Sequence, residues 1–129
     1  MAKMSQEIID LFTDPQASKV MATISAEGTP ITGVKGRLHA ADEETIGFAE
    51  LAHVKGRSPL KPGQKVAIAV FKMPSHGYRI QGTFNRYQTS GALFDDWAKL
   101  VKEKLNAELR QVGMIEVEEI YSSSGEKIA

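Results

Sequence analysis

The sequence predicts a mainly β (α+β) fold, a small antiparallel Greek-key barrel with flanking helices. Three observations support this. Segments of alternating apolar and polar residues recur between turn signals, one long helical pattern stands alone near the C-terminus, and strands and helices do not alternate regularly. That order excludes a doubly wound parallel sheet, and with it most nucleotide folds built on one.

The elements follow in order. Ser5 is placed to cap a short lid-like helix whose apolar side is Ile8, Ile9, Leu11 and Phe12, ended by Asp14-Pro15. Val20, Ala22 and Ile24 alternate with Met21, Thr23 and Ser25 as a strand, and Ala26-Glu27-Gly28 turns it back. One long strand is expected from about Pro30 to Ala41, with Thr32, Val34, Gly36 and Leu38 on one side and Gly33, Lys35, Arg37 and His39 on the other. Asp42-Glu43-Glu44 returns it into Thr45 to Leu51. Val66 to Phe71 is apolar at every position, as for a strand covered on both faces by the barrel and a partner. Beyond the breaker Met73-Pro74-Ser75-His76-Gly77, the residues Tyr78, Ile80, Gly82 and Phe84 form one apolar side of a strand. Thr89 or Ser90 starts the long helix with Leu93, Trp97, Leu100, Val101 and Leu105 at helical spacing, Trp97 serving in packing. Met114 to Tyr121 closes as the last strand, and Ser122 to Ala129 is either frayed or laid on a partner.

The chain of 129 residues is expected to form one domain, 1–129, with a core of its own, and a barrel this small often completes its hydrophobic surface as a homodimer. Its 42% hydrophobic and 25% charged residues are ordinary for a globular protein. No apolar stretch approaches a bilayer span and no signal-peptide pattern opens the chain, so no membrane partner and a cytoplasmic location are expected. The absence of cysteine removes thiolate nucleophiles, disulfides and thiolate metal sites together. Redox chemistry would have to come from a bound cofactor.

Charge is balanced at 16 basic and 16 acidic residues, yet Lys55, Arg57, Lys61 and Lys65 cluster with no acid between them. Such a local surplus suits a small anion such as a phosphate. Neither G-x-G-x-x-G nor G-x-x-x-x-G-K-[ST] occurs, so a phosphate would be held by side chains and turn amides, which Lys55-Gly56-Arg57-Ser58 could supply. A solvated loop would carry the same residues. Lys35 and Arg37 share one side of a strand and could clamp a polar ring edge while Gly33 and Gly36 admit a flat ligand, although a plain solvent face would look identical. His39, His53 and His76 are too dispersed for a local metal motif. The serine run Ser122-Ser123-Ser124 lacks a nucleophile-elbow context.

Taken together, KVMATISAEGTP, ITGVKGRLH, IGFAEL, HVKGRSPLKPGQKVAIAVF and GYRIQGTF followed by a helix resemble the flavin-binding split barrels related to pyridoxamine 5′-phosphate oxidase, of the short FMN-binding type, over roughly Lys19 to Tyr121. The resemblance implies a six-stranded antiparallel Greek-key split barrel with FMN at a homodimer interface. It further implies that Thr32, Gly33, Val34 and Lys35 border the flavin ring, that Ala49, Glu50 and Leu51 flank it, and that Lys55, Gly56 and Arg57 face the phosphate. The chain departs from the family at Gly56, where a hydroxyl residue is usual, and at Ser58-Pro59-Leu60, so Arg57, Ser58 or a partner residue would have to supply the missing contacts. No Arg-x-His substrate pair occurs near the C-terminus, which argues against oxidation of pyridoxamine phosphate itself. An FMN-dependent oxidoreductase or flavin reductase is expected, with an electron carrier as the alternative; the family also includes haem- and deazaflavin-binding members. A nucleic-acid-binding barrel using Lys55, Arg57, Lys61 and Phe71 is disfavoured by the zero net charge and by aromatic residues at only 7%.

Overall fold

A computed structural model of the protein describes residues 2–34, 37–52, 60–74 and 76–129. The elements run α1 (Gln6–Thr13), β1 (Ser18–Ile24), β2 (Pro30–Val34), β3 (Leu38–Ala40), β4 (Thr45–Leu51), β5 (Lys65–Lys72), β6 (His76–Gln88), α2 (Ala92–Leu105) and β7 (Leu109–Ser122). All seven strands join one antiparallel sheet in the order β2-β1-β5-β6-β7-β4-β3. The two outermost strands are consecutive in the chain. Val34 and Arg37 are three residues apart, which bounds their separation at roughly 11 Å, so the sheet must curl until its ends nearly meet. A barrel follows from connectivity alone.

The seventh strand arises because the expected run from Pro30 to Ala41 pairs with β1 through its first half and with β4 through its second. One side of the curled sheet is packed: Leu38, Ile46, Phe48, Val66, Ile68, Val70, Ile80, Phe84, Ile115, Val117 and Ile120 are all buried in one cluster. Helix α1 adds Ile8, Leu11 and Phe12 to that cluster from the end near β3 and β5, and Ser5 caps it by accepting from the Ile8 amide at 3.4 Å. Gly113 is buried opposite Phe48, and a Cβ there would collide with the Phe48 ring.

Helix α2 covers the outer face of β4 and β7. Trp97 lies so close to Gly47 that a Cβ on the glycine would sit 3.0 Å from the indole Cη2, and Val101 of the helix and Val112 of β7 are both buried. The cap differs from expectation: Gly91, at φ 100°, takes the N-cap position in place of Ser90 or Thr89, a backbone that favours glycine. Leu100 and Leu105 of the expected apolar stripe are exposed, so the buried stripe is narrower than its spacing implies.

In β5, Val66, Ile68 and Val70 are buried, whereas Ala67 and Phe71 on the other side are exposed and Ala69 is half-buried, so the barrel covers one face and leaves open the face expected to meet a partner. The tail is not frayed, because Ser122 and Glu126 hydrogen-bond across a turn and Tyr121 bridges Lys127. Among the described residues no helix is long and apolar enough to cross a membrane, and no group of three or more His, Cys, Asp or Glu could hold a metal.

Candidate functional site

Two segments singled out by the sequence meet where β2 gives way to β3. Thr32 and Gly33 pair with Ala22 and Met21 of β1, and the Val34 backbone pairs with Val20. Thr32 is exposed on the outer face, level with Ala22 and, one strand further, Ala67. At the start of β3 the half-buried Arg37 accepts a backbone hydrogen bond from the Ala49 amide at 2.9 Å. Ala49, Glu50 and Leu51 are therefore held beside the chain that runs on from Thr32, Gly33 and Val34. Lys35, Gly36, His53, Lys55, Gly56, Arg57 and Ser58 lie outside the described residues.

The end of β4 is tied down by polar contacts. Glu50 pairs with Gln111 of β7, whose amide Nε2 donates to its carboxylate at 2.6 Å. A bulge between Glu50 and Leu51 frees Arg110 to donate to the Leu51 carbonyl at 3.4 Å, and the Ala52 amide donates to the Glu108 carbonyl. Tyr87 of β6 rests its ring on Phe84 and Phe48 while its hydroxyl accepts from the Leu60 amide at 3.0 Å. Burial raises the phenol's pKa and the Glu50 carboxylate raises it further, against the Leu60 amide, which lowers it. Tyr87 and Gln111 were not evident from sequence. In strict alternation Arg86 would follow Phe84 inward, and it is the bulge between Phe84 and Arg86 that turns Tyr87 in.

A second polar cluster holds the opposite end. Lys19 is 8% exposed, and its ammonium donates to the Phe12 carbonyl at 2.9 Å, in the last turn of α1. His39 Nδ1 lies 3.1 Å from the same oxygen, and its ring meets Trp97 edge-on at 5.7 Å. Lys19 Nζ also lies 3.4 Å from His39 Nδ1, so the lysine, the imidazole and the Phe12 carbonyl form one cluster. Burial lowers the pKa of His39, and the charges of Lys19, Arg37 and Lys104 lower it further against the opposing Phe12 contact. Burial and then Arg37 lower that of Lys19. Lys65 pairs with Glu118 at 3.1 Å and reaches Thr83 at 3.0 Å, and His76 pairs with Glu7 at 2.9 Å.

Beside Thr32 the outer face opens into a groove of about 620 Å³, with Ala22, Ile24, Pro30 and Ala67 forming its apolar part and Lys65, Gln81 and Glu118 a polar wall. The groove includes none of the expected cofactor residues, but Ala22 and Pro30 lie next to Thr32 on β1 and β2. Its size falls within the roughly 300–1,000 Å³ of small-molecule sites.

This architecture is shared with solved proteins. HupZ of Group A Streptococcus, carrying V5 and hexahistidine tags, is 28% identical with a TM-score of 0.81, the match covering 98% of this chain and 99% of that one. A candidate pyridoxamine 5′-phosphate oxidase from Lactobacillus delbrueckii is 27% identical with a TM-score of 0.66, over 93% and 94% of the two chains. An FMN-binding protein from Syntrophomonas wolfei shares the fold at 18% identity and a TM-score of 0.76, over 92% of this chain and 84% of that one. No protein-family model and no curated protein matches the chain. The protein is a split barrel of the type related to pyridoxamine 5′-phosphate oxidase.

Proposed function

We propose that this protein binds FMN between two copies of itself and works as a flavin-dependent oxidoreductase or flavin reductase. The observation that supports the reading best is the hydrogen bond from the Ala49 amide to the Arg37 carbonyl, which ties the end of β4 to the residue three beyond Val34. The fold shared with an FMN-binding protein and with a candidate pyridoxamine 5′-phosphate oxidase supports the same ligand class. Thr32 would contact the ring from the exposed face, Gly33 would let it approach the backbone, and Lys35 would meet its polar edge. Lys55, Gly56 and Arg57 would hold the phosphate. Bound FMN would supply the redox chemistry, accepting a hydride or single electrons. The chain's own part is to orient the ring, shield it from water and set the polarity around it. The apolar outer face of β1 and β5 beside Thr32 would be covered by the second copy.

Purified protein should be yellow and release FMN, not FAD, on denaturation. Colourless protein that takes up no added FMN overturns the proposal. Lys55→Ala should weaken FMN roughly tenfold to a hundredfold, the worth of one charge-assisted phosphate contact, and leave riboflavin unchanged. Equal weakening of both ligands would remove Lys55 from the phosphate. Turnover of a reduced nicotinamide would mark an enzyme, whereas a carrier would give none.

A further inference from the structure

Helix α1 packs Ile8, Leu11 and Phe12 into the core, and polar contacts hold it at both of its ends. In its first turn Glu7 pairs with His76 of β6 at 2.9 Å. In its last turn the Phe12 carbonyl accepts from the Lys19 ammonium at 2.9 Å and faces His39 Nδ1 at 3.1 Å, and those two nitrogens stand 3.4 Å apart. Lys19 belongs to β1 and His39 to β3, which are not neighbours in the sheet. The Phe12 carbonyl is thus the point where the helix meets both strands.

We propose that His39, Lys19 and the Phe12 carbonyl form an acid-operated latch, in which neutral His39 keeps the last turn of α1 docked and a proton on its imidazole releases that turn. A neutral imidazole tolerates the ammonium beside it. A protonated one sets a second cation 3.4 Å from the first, in a site where Lys19 is buried and His39 half-buried, so little water screens the repulsion. The surroundings of His39 act the same way. Burial most of all, and then the charges of Lys19 on β1, Arg37 on β3 and Lys104 on α2, disfavour the imidazolium, against the Phe12 carbonyl of α1, which favours it. Trp97 of α2 meets the ring with an uncharged edge, and the strand neighbour Gly47 of β4 has no side chain to offer. Asp14, the C-cap of α1, is engaged by Lys72 of β5 at 3.0 Å. At the helix's other end the sign is opposite, because a proton on His76 strengthens its pair with Glu7. Acid therefore loosens the last turn while the first stays held, and α1 pivots on its N-terminal end.

Native-state amide exchange between about pH 7.5 and 5, with each rate corrected for its intrinsic pH dependence, tests the latch on the wild-type chain. Exchange at Leu11 and Phe12 should rise as the pH falls below histidine's ordinary 6.5, by up to about tenfold per pH unit, the limit for one linked proton. Val70 of β5 and Ile80 of β6 should rise much less. A flat profile at Leu11 and Phe12, or an equal rise at Val70 and Ile80, overturns the latch, the second because it marks unfolding of the whole barrel. In His39→Gln the rise should vanish, and in His76→Gln it should persist; the reverse pattern overturns the assignment to His39. Should His39→Gln fail to fold, Lys19→Met removes the neighbouring charge instead and should shrink the rise, and a rise of undiminished size there overturns the proposal.

Discussion

The outer wall of the barrel is finished in two different ways. Over β4 and β7 the chain supplies its own cover, α2, whose Trp97 fills the space above Gly47 and whose Val101 is buried near Val112. Over β1 and β5 the outward side chains are just as apolar, Val20, Ala22, Ile24, Ala67, Ala69 and Phe71, yet Ile24 is 49% and Phe71 36% exposed. The covered wall carries bulk on the helix and a glycine beneath it. The open wall carries alanines, which leave a flat surface that another backbone can approach closely. Thr32, the expected ring contact, stands at the margin of the open wall and not of the covered one. The contrast identifies where a second copy would contribute most.

The largest expected effect comes from placing a charge on the open wall. Ala67→Glu should convert a dimer into a monomer in sedimentation, because burying an unpaired carboxylate costs about 3–5 kcal/mol, and should leave the far-UV circular dichroism intact. A wild type already monomeric at micromolar concentration would show that the open wall has no partner of its own kind. On the covered wall Trp97→Ala should cost about 3 kcal/mol in denaturant midpoints, independent of protein concentration. If that loss varied with concentration, α2 would belong to an interface and the two walls would not be distinct.

The smallest effect is electrostatic and lies where α2 meets β3. His39 has a folded pKa below its ordinary 6.5, so the unfolded chain takes up a proton that the folded one refuses. Its contribution is fully present above pH 6.5 and is lost as the pH falls toward the folded value. Melting temperatures between about pH 7.5 and 5 should therefore decline on acidification, and His39→Gln should flatten the slope. Asp14 and Glu118, whose pKa values are also lowered, act in the more acidic carboxylate range and leave this window clear.

Much of the architecture was legible because alternation survives in the side chains. The pattern in Tyr78, Ile80, Gly82 and Phe84, the turn at Asp42-Glu43-Glu44 and the breaker Asp14-Pro15 each carry a local physical cause. β5 was less legible, since a strand of Val, Ala, Ile and Phe reads the same whether one face or two are covered. Lys19 carries no local sequence signal for burial, and it is the fold that brings its ammonium to the Phe12 carbonyl of α1. Tyr87 entered the site through a bulge, which is a property of strand pairing and has no spacing of its own in the sequence. Lys65 read as part of a basic cluster because its partner Glu118 is more than fifty residues away.

The shortness of β2 and β3 also governs how the fold behaves in a crowded solution. Sheets with long free borders recruit foreign strands, since every unpaired amide and carbonyl is a template. Here the sheet's two borders are only β2 and β3, five and three residues long, and they follow one another in the sequence. A seven-stranded sheet thus offers a stray chain almost no long rail on which to nucleate.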